Sequence, residues 1–435
     1  MFSAPKGASD LLPEESGRWS ATVTGLLAPS VRAGYRLVDT PIFEETGVFL
    51  RVGEATDIVT KEMYTFEDKG GRSLTLRPEG TAGVVRAAIE HHVDRGPLPW
   101  KVRYAGPMFR YERPQAGRTR QFFQVGVEAL GVDDPAIDAE VVTLGVRAFE
   151  EVGLSNVTLL LNSMGDEACR PTYIATLQSY LRANAATLCR ECQGRTETNP
   201  LRALDCKRAE CQAVLATAPV ITDHLCVPCK DHYAEVRSYL SALGVIWTEA
   251  PRLVRGLDYY RRTTFEFQHD GLGAQNAVGG GGRYDGLSEA LGGPSLPGIG
   301  WALGLERIAL ALDAEGVVPG SDEGIEVFVI PIGPESRTNA VTIVDELRSS
   351  GVRADMVFGD KGMKGAMKAA DRSGARISLI VEPAGTVQLK HMDTGEQYAV
   401  PLAEAAARAA AAEQRDQEAH DAAPPAAPET EEDDA

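Results

Sequence analysis

A clear alternation of polar and apolar positions near the middle of the chain follows the period of a β-strand. In the stretch RTTFEF, Thr264 and Glu266 fall on one side, and Phe265 and Phe267 fall on the other. Because successive side chains of a strand point to opposite faces, this pattern predicts a half-buried strand. The polar face of this strand could then line a binding site. Near the N-terminus, residues 14–33 have the pattern of a helix instead.

A second alternating segment, FRYERPQAGRTRQFFQVGVEALG, spans residues 109–131. Its two strand-like arms flank a loop rich in arginine, proline and glycine, which predicts a hairpin with a long basic tip. Spacing by two places Phe122, Gln124 and Glu128 on one face of the second arm, opposite Arg110. An arginine, an aromatic ring and carboxylates suit the phosphate, base and exocyclic amine of a nucleotide. An ordinary salt-bridged hairpin is the alternative explanation of the same spacing.

Two glycine-rich segments follow. In AVGGGGRYDGL, residues 277–287, the glycines lack the GxGxxG order of a dinucleotide-binding fold, so they are better explained by close approach of the backbone to a substrate. Arg283, Tyr284 and Asp285 would then fix this loop. The pattern of GIGWALGLERIALAL, residues 298–312, predicts a glycine turn that leads into an amphipathic helix.

The last part of the chain alternates strand and helix patterns. From Ile325 onward, IEVFVIPI, RADMVF and RISLIVE have the composition of strands, and helical segments ending in glycine lie between them. This order predicts a small α/β sandwich with mostly parallel strands. One of its helical segments carries four basic residues spaced by three, four and four, which places them on one helix face: Lys361, Lys364, Lys368 and Arg372. A solvated face and a nucleic-acid contact both explain such a stripe.

Composition and charge narrow the class of protein. The chain has 435 residues, of which 43% are hydrophobic and 24% charged, as in soluble globular proteins of two to four domains. Its first residues, MFSAPKGASD, lack the order of a signal peptide, and no apolar run reaches the length of a membrane span, so we expect a cytoplasmic protein. The net charge of −18 argues against a protein that coats nucleic acid generally. Residues 413–435, with nine acids and one arginine, supply −8 of that charge.

The cysteines are crowded into one part of the sequence. Six of the seven lie between Cys189 and Cys229, flanked by helical patterns, and strand character returns at Leu253, so this part reads as an insertion into one mixed domain. Two CxxC pairs have the spacing of zinc knuckles. Four of the six thiolates could form one structural zinc site, with His224 as a spare ligand. A reduced, metal-free insertion is the alternative. The six are Cys189, Cys192, Cys206, Cys211, Cys226 and Cys229.

Several of these segments, in the expected order, resemble the motifs of one enzyme family. The chain resembles class II aminoacyl-tRNA synthetases, and within them the histidyl-tRNA synthetases, from Lys6 to about residue 405. Linked motifs in a fixed order are far more specific than any single pattern. The matching stretches are GYRLVDTPIFE for motif 1 (34–44), LRPEGT (76–81), the hairpin 109–131 for motif 2, RGLDYY (255–260) and AVGGGGRYDGL (277–287) for the two histidine signatures, and GIGWALGLERIAL for motif 3 (298–310).

The resemblance implies a fold class and a set of domains. The implied fold is an α+β catalytic domain, with an antiparallel sheet flanked by helices, that contains an inserted helical, cysteine-rich domain and precedes an α/β anticodon-binding domain. The tail should be solvated and disordered because it is acidic and rich in proline and alanine. The predicted bounds are 1–168 and 244–320 for the two parts of the catalytic domain, 169–243 for the insertion, 325–405 for the anticodon-binding domain and 411–435 for the tail.

The resemblance also implies a reaction in which ATP activates histidine before its transfer to the 3′ end of tRNA. In-line attack on the α-phosphate depends mostly on positioning and charge stabilisation. By match to the family, Arg110 would hold the α-phosphate and Arg307 the γ-phosphate. Arg255 would stabilise the transition state where relatives of other specificity place a metal ion. Phe122 would stack on adenine, and Glu112 would bind its amine. A Mg²⁺ ion would bridge the β- and γ-phosphates.

Further residues would bind the histidine substrate. A pocket that hydrogen-bonds both ring nitrogens excludes apolar look-alikes, because its own buried polar groups would otherwise stay unpaired. Core aromatics with satisfied hydroxyls are the alternative for the two tyrosines. The implied set is Tyr260 and Glu128 for the ring nitrogens, Tyr259 for the pocket wall, and Glu79, Thr81 and Gln124 for the α-amino group.

The same resemblance implies partners. The motif 2 loop would reach the tip of the tRNA acceptor stem, with Gln115 and Arg120 as candidate contacts, and the C-terminal basic face would contact the anticodon stem and loop. Motif 1 implies a homodimer. Phe123 stands where histidine is expected; because it alternates away from Phe122 and Gln124, we expect little consequence.

Two other functions are compatible with this fold. One is the regulatory subunit of an ATP phosphoribosyltransferase, a catalytically inactive relative that binds histidine, usually lacks the C-terminal domain and loses the ATP-site arginines. The other is a class II synthetase for another amino acid. The presence of Arg110, Arg255 and Arg307 together with a C-terminal domain disfavours the first, and RGLDYY disfavours the second.

Overall fold

An eight-stranded sheet organises the first of the two units into which the described chain divides, Met1–Gly320 and Ser321–Ala435. The computed structural model describes residues 2–51, 58–273, 276–320, 324–359 and 361–421. The strands of the first unit are β1 (Arg36–Leu37), β2 (Phe43–Glu45), β3 (Tyr64–Glu67), β4 (Ser73–Leu76), β5 (Trp100–Phe109), β6 (Gln121–Leu130), β7 (Val157–Ser163), β8 (Thr248–Glu249), β9 (Arg261–His269), β10 (Ala277–Arg283) and β11 (Gly298–Gly304).

The centre of the large sheet is antiparallel, as the resemblance implied. The strand order is β1-β5-β6-β11-β10-β9-β7-β8, and only the edge pairs β1/β5 and β7/β8 are parallel within the described residues. Strands β5 and β6 form the predicted hairpin, with register from Trp100 opposite Leu130 to Phe109 opposite Gln121. A separate three-stranded sheet has the order β2-β4-β3. Motif 1 therefore supplies only two short strands, not one long one.

Strand β11 corrects one prediction. The segment GIGWALG was expected to be a glycine turn, but it forms a strand between β6 and β10. Its glycines serve the packing on the sheet face: a Cβ at Gly300 would lie 1.7 Å from the Glu128 carboxylate, and one at Gly126 of β6 would lie 2.3 Å from the Tyr104 ring. Side chains at these two positions would displace Glu128 and Tyr104, so glycine makes room for them.

Helices cover the opposite face of the large sheet with an apolar core. The first helix begins one residue before the predicted segment and ends one residue before its end. Phe265 and Phe267 of β9 are fully buried against this layer, which confirms the apolar face predicted from alternation. The helices of the first unit are α1 (Pro13–Arg32), α2 (Thr46–Leu50), α3 (Thr81–Glu90), α4 (Pro135–Glu151), α5 (Arg170–Ala183), α6 (Arg190–Thr198), α7 (Ala209–Leu215), α8 (Val227–Ala242), α9 (Leu287–Ala290) and α10 (Leu305–Glu315).

The insertion between β7 and β8 is helical. It contains α5 to α8 and the 3₁₀ segments Pro200–Asp205 and Ile221–His224. Its apolar core is separate from that of the sheet and includes Tyr173, Leu177 and most of the cysteines. In this part of the unit, helices around buried thiols replace long strands.

The second unit is a five-stranded sheet covered by helices. The strand order is β13-β12-β14-β15-β16; the first three strands are mutually parallel, and the last two pair antiparallel. The predicted α/β unit is confirmed, but the expectation of mostly parallel strands missed this C-terminal hairpin. The elements are β12 (Val327–Pro331), α11 (Arg337–Ser349), β13 (Ala354–Met356), α12 (Met363–Ser373), β14 (Ile377–Val381), β15 (Thr386–His391), β16 (Gln397–Pro401) and α13 (Ala405–Asp421).

The start of the predicted disordered tail is corrected by α13. Residues 411–421 continue this helix, with Ala412 and Glu413 buried, and Glu413 forms an ion pair with Arg376. Residues 422–435, where most of the acidic tail lies, are outside the described residues. Within the described ranges, no helix is long and apolar enough to cross a membrane.

Candidate functional site

A cavity of about 520 Å³ lies on the face of the large sheet opposite the helical layer. Its floor is made by strands β6, β9, β10 and β11, and its rim includes the motif 2 loop and the loop that precedes β9. Gly279 and Gly280 of β10 line it, so the glycine-rich segment forms part of a strand where the backbone itself meets the cavity. Glu266 of β9 lines it as well, as the predicted polar face requires. Thr264 instead is buried and donates to the Gly281 carbonyl at 3.3 Å.

The three arginines proposed from motifs far apart in sequence all line this cavity. Arg110 donates from Nε to the Pro78 carbonyl at 2.9 Å, and Arg307 donates from Nε to the Ala277 carbonyl at 2.5 Å. These anchors fix each side chain through one nitrogen and leave the terminal nitrogens of the guanidinium for an anion. Such a set of cations suits a polyphosphate.

Arg255 is held differently, by an ion pair with Glu266 across the cavity wall. Its Nε is buried and has no hydrogen-bond partner among the described residues. An unpaired buried donor is costly, and a ligand oxygen would satisfy it. Arg255 therefore keeps donor capacity for a substrate even though Glu266 fixes its position.

An aromatic ring and a carboxylate lie beside Arg110. The Arg110 guanidinium lies 5.1 Å from the centre of the Phe122 ring, and its Nη1 lies 3.9 Å from Glu112 Oε1. Phe122 and Glu112 both line the cavity. A planar base could stack on this ring while its exocyclic amine meets the carboxylate, which is the chemistry predicted for these two residues.

A deeper group of polar residues lines the same cavity near the N-terminus of α3. Glu79 is buried and accepts hydrogen bonds from the backbone N–H groups of Thr81 and Ala82, at 2.6 and 2.9 Å. Burial raises the pKa of Glu79. Gln124 presents a buried Oε1 with no hydrogen-bond partner in the described parts of the chain. Glu79, Thr81 and Gln124 thus form a patch of acceptors and a hydroxyl suited to an ammonium group.

Two tyrosines of the RGLDYY stretch close the wall of this deeper part. Tyr259 and Tyr260 both line the cavity, with ring centres 4.7 Å apart, and Tyr259 also meets the Tyr284 ring at 5.8 Å. Burial raises the pKa of Tyr260, so its hydroxyl stays protonated at neutral pH. Both tyrosines therefore line the cavity, and their contact with a substrate stays a prediction.

Glu128 does not line the cavity in the described structure, although its neighbours do. It is fully buried and accepts hydrogen bonds from Thr81 Oγ1 at 2.7 Å and from the Tyr284 hydroxyl at 2.6 Å. Burial raises the pKa of Glu128 to about 8. The prediction paired Glu128 with Tyr260 on the two ring nitrogens of one substrate. In this arrangement Thr81 lies at the cavity wall and Glu128 lies behind it.

Buried hydrogen bonds and ion pairs hold the loop after β10 in place, as predicted for Arg283, Tyr284 and Asp285. The Arg283 guanidinium is buried and donates from Nε to Asp138 Oδ1 at 3.1 Å and from Nη1 to Asp285 Oδ1 at 3.1 Å. Because the buried cation has two carboxylate partners, the charge is compensated. This network holds Tyr284 against Glu128.

The residues predicted to contact tRNA lie outside the cavity. Gln115 is exposed at the tip of the β5–β6 hairpin, where its backbone pairs with that of Arg118 in an antiparallel β-bridge. The Arg120 guanidinium lies 3.9 Å from the centre of the Tyr111 ring. In the second unit, Lys364, Lys368 and Arg372 are exposed along α12, and Lys361 precedes its first residue. Three of the four predicted basic residues therefore share the helix.

Phe123 faces away from the cavity, as expected from its alternation with Phe122. Its ring packs edge to face on Trp19 at 5.8 Å, in the core beneath the sheet. Its backbone N–H donates to Glu306 at 2.9 Å. Glu306 lines the cavity, and burial raises its pKa to about 7.

Several cavity residues were missed by the sequence analysis. They are Arg118 from the hairpin tip, Glu306 and Trp301 from motif 3, and Asp205 and Lys207 from the insertion. The motif positions of the first three offered a signal. The last two had none, because only tertiary folding brings the insertion to the rim of the cavity.

The cysteines form two groups rather than one. Cys189, Cys192, Cys206 and Cys211 have sulfur atoms within 4.8 Å of one another, and Asp166, Cys169, Cys226 and Cys229 form a second set with the same limit. All seven cysteines are free thiols. His224 belongs to neither group; its ring lies 5.6 Å from that of Tyr173. Four of the six predicted thiols thus form one group, as expected, whereas His224 is not a spare ligand of it, and the second group was not predicted.

Comparison with known proteins gives concordant results over nearly the whole chain. Residues 7–308 match the family model described as histidyl-tRNA synthetase, and residues 326–411 match an anticodon binding domain. A histidine–tRNA ligase of Saccharopolyspora erythraea is 53% identical over 411 residues, which cover 93% of this chain and 97% of that protein. One from Rhodococcus opacus is 54% identical over 415 residues, covering 94% and 98%.

A solved structure supports the same relationship. The crystal structure of apo histidyl-tRNA synthetase from S. aureus aligns with a TM-score of 0.79 at 39% sequence identity. The alignment covers 94% of this chain and 99% of that one. Similarity therefore extends through both units and is not confined to the cavity.

Proposed function

This chain belongs to the histidyl-tRNA synthetase family and ligates histidine to tRNA with ATP, and we propose that Arg110, Arg255 and Arg307 carry the activation step. The observation that supports these roles above all is the convergence of the three arginines on one cavity. In the proposed step, the histidine carboxylate attacks the α-phosphate of ATP, histidyl-adenylate forms, and pyrophosphate leaves. The amino acid is then transferred to the 3′ end of histidine tRNA.

The arginines divide the charge of the triphosphate. We assign the α-phosphate to Arg110 and the γ-phosphate to Arg307. Arg255, fixed by Glu266 and with a free Nε, would stabilise the charge that develops on the α-phosphate in the transition state. Phe122 would stack on adenine, with Glu112 at its amine.

Histidine would occupy the deeper part of the cavity. Glu79, Thr81 and Gln124 would bind the α-ammonium group, and the Tyr260 hydroxyl would bind one ring nitrogen, with Tyr259 as the wall. Glu128 would act on the second ring nitrogen, either through Thr81 or after release of its hydrogen bond to that hydroxyl. A buried carboxyl with a raised pKa can bind either protonation state of the imidazole.

Two metal ions belong to this proposal. Mg²⁺ would enter with ATP between the β- and γ-phosphates. Glu266 forms an ion pair with Arg255, and Glu306 accepts a hydrogen bond from the Phe123 backbone. Most ligands of the Mg²⁺ ion would therefore be phosphate oxygens and water, which is common for this ion. A structural Zn²⁺ would be bound by the thiolates of Cys189, Cys192, Cys206 and Cys211. The N–H of Cys192 already donates to the Cys189 sulfur at 3.4 Å, as such groups do to metal-bound thiolates.

The tRNA would be contacted at two places. Gln115 and Arg120 at the hairpin tip would meet the acceptor end, and Lys361, Lys364, Lys368 and Arg372 would contact phosphates near the anticodon. The match of residues 326–411 to anticodon binding domains supports the second contact. The proposed domain bounds are those predicted from the sequence, except that α13 extends to Asp421.

The assembly is proposed to be a cytoplasmic homodimer. Motif 1 leaves large apolar side chains at the surface, including Leu37, Ile42 and Phe43, and Phe66 lies close to Phe43, with ring centres 6.4 Å apart. A group of exposed apolar residues of this kind suits a subunit interface.

The activity is tested by histidine-dependent exchange of pyrophosphate into ATP, followed by charging of a histidine tRNA transcript. Exchange with histidine alone among the amino acids is expected. Absence of exchange with every amino acid would indicate a regulatory relative, and exchange with a different amino acid would indicate a synthetase of other specificity. An Arg110→Ala variant, expected to lose most of its exchange activity, links the activity to this cavity.

A further inference from the structure

We propose that the insertion binds a second zinc ion, through Asp166, Cys169, Cys226 and Cys229, and that the two zinc sites together brace the histidine-binding loop 254–262. This second ligand set includes two residues outside the predicted cysteine cluster. The claim about metal binding stands on the geometry alone. The claim about the loop rests on the proposed function, because it assumes that this loop binds histidine.

The ligands account for every cysteine in the chain. The sequence has seven cysteines, and the two groups use all seven together with Asp166, which makes two sets of four. Structural zinc is almost always four-coordinate, with thiolate, imidazole or carboxylate ligands. Eight donors in two groups of four, with no cysteine left over, match two closed sites.

The spacing of the donors fits a metal ion. Zinc–sulfur bonds of about 2.3 Å place the sulfur atoms of a tetrahedral site roughly 3.8 Å apart. In each group the donor atoms lie within 4.8 Å of one another, so a contraction of about 1 Å would close the site. Backbone N–H groups already point at sulfur in the first group: Cys189 N–H lies 3.2 Å from Cys211 Sγ, and Cys192 N–H lies 3.4 Å from Cys189 Sγ.

The second group also has partners that orient its carboxylate and offset its charge. Asp166 accepts a hydrogen bond from the Ala168 N–H at 3.0 Å, and its Oδ2 lies 3.9 Å from an Arg262 nitrogen. Three thiolates and a carboxylate around Zn²⁺ carry a net charge of −2, which a neighbouring guanidinium stabilises. Fixed outer partners of this kind orient metal ligands.

Each group adjoins one end of the histidine-binding loop. Beside the first group, Arg202 of the 3₁₀ segment that ends before Cys206 donates to the Arg255 carbonyl at 3.3 Å and to the Gly256 carbonyl at 2.8 Å. These two bonds fix the backbone that carries the catalytic arginine. Cys206 lies between Asp205 and Lys207, which line the cavity itself.

The other end of the loop is held beside the second group. Arg170, the residue after Cys169, donates to the Tyr260 carbonyl at 2.8 Å. The backbone of Arg262 pairs with Gly165 and Met164, at 2.8 and 2.7 Å, directly before Asp166. Arg262 has a positive φ of 46°, so the loop enters β9 in a conformation that needs such restraint. Loss of the second zinc should therefore loosen the backbone at Tyr260.

The first experiment measures zinc in the full-length protein, purified without chelator, by plasma mass spectrometry. Two zinc ions per chain are expected, one in Asp166→Ala or Cys226→Ala, one in Cys189→Ala, and two in the control Asp231→Asn, an exposed acid on α8. No zinc in the parent protein, a zinc content that Asp166→Ala leaves unchanged, or disulfides in the intact mass would overturn the second site. This readout does not depend on catalysis.

The second experiment separates bracing from general stability. Steady-state pyrophosphate exchange with Asp166→Ala is expected to show a KM for histidine about tenfold higher, with the KM for ATP changed less than about twofold. Cys226→Ala should repeat this pattern, and Asp231→Asn should match the parent. Zinc loss with an unchanged KM for histidine would refute the bracing. A parent protein that holds two zinc ions but activates no amino acid would refute the proposed function and leave the metal site standing.

Discussion

The cavity floor and the cysteine-rich insertion place residues around the same substrates by opposite means. The floor consists of long antiparallel strands whose backs are packed in a continuous apolar core, so positions two apart on β6 and β9 have a fixed direction. The insertion consists of helices and 3₁₀ segments, and its small core combines aliphatic side chains with buried thiols. Hydrogen bonds between strands make the floor rigid, and we propose that metal ligation makes the insertion rigid.

This difference predicts how each region should respond to substitution. A residue proposed to meet substrate, whether on a floor strand or on loop 254–262, acts directly, so its removal should cost chemistry. An insertion residue acts through the backbone of loop 254–262, so its removal should cost less and should depend on how well the loop is otherwise held.

Substitution of Arg255 by alanine should have the largest effect. It removes the cation that we propose meets the reacting phosphate, and we expect kcat for histidine-dependent pyrophosphate exchange to fall roughly 10²- to 10³-fold. Arg147→Ala, at an exposed ion pair with Glu150 on α4, is the matched control and should retain parent activity. A decrease of only a few-fold in Arg255→Ala would remove this arginine from the catalytic set.

The floor was largely predictable from the sequence, and the reason is physical. Alternation by two fixed the directions of Phe122, Phe123 and Gln124, and the order of the motifs brought Arg110 and Arg307 to one cavity. How deeply a side chain is buried behind the cavity wall was not predictable. Glu128 lies behind Thr81 because Gly300 on the neighbouring strand leaves space for its carboxylate. No periodicity within β6 contains that information.

The insertion was much less predictable. Cysteine spacing within CxxC pairs indicated metal ligation, because a turn of helix brings such thiols together. Which pairs combine depends on how α8 closes on the end of β7, and this closure joins Cys226 and Cys229 to Asp166 and Cys169. Long-range packing decides that pairing, so the sequence left the ligand sets open and gave no sign that Lys207 reaches the cavity.

Removal of the Tyr260 hydroxyl should have the next largest effect. Tyr260→Phe keeps the ring packed on Tyr259 but removes the hydroxyl that we propose binds one histidine ring nitrogen. We expect kcat/KM for histidine to fall about 10- to 100-fold, with little change in the KM for ATP. Tyr239→Phe, on the exposed side of α8, is the control. Equal losses for histidine and ATP would indicate general damage to the cavity instead of a lost substrate contact.

Substitution of Arg202 tests how much the insertion contributes to holding loop 254–262. Arg202→Ala removes both bonds to the Arg255 and Gly256 carbonyls but touches no substrate. We expect a loss of roughly tenfold in kcat for exchange, smaller than for Arg255→Ala, because the loop keeps its attachment at Tyr260. Arg182→Ala, at an exposed pair with Glu197 in the same insertion, should behave as the parent. A loss as large as that of Arg255→Ala would erase the distinction between the two regions.

The smallest effect concerns stability of the floor as a function of pH. Glu128 has a pKa of about 8 in the folded protein, raised by burial from an ordinary value of 4.5, so folding favours its protonated form. Its stabilising contribution is complete below pH 4.5 and is lost as the pH rises toward 8, by at most roughly 1.4 kcal/mol per pH unit. The melting temperature of the ligand-free protein should therefore fall by a few degrees between pH 5 and pH 8.

Glu128→Gln isolates this contribution, because glutamine keeps the size of the protonated acid and cannot ionise. Thermal unfolding of the variant should show a shallower decline over the same pH range. Part of the slope should remain, since burial also raises the pKa values of Glu79 and Glu306. Glu235→Gln, exposed on α8 of the insertion, should keep the full slope of the parent. Parallel curves for Glu128→Gln and the parent would mean that Glu128 is ionised in the folded state. The floor would then hold a buried charge in need of a cationic partner, and the ring of histidine would have to bind as an imidazolium.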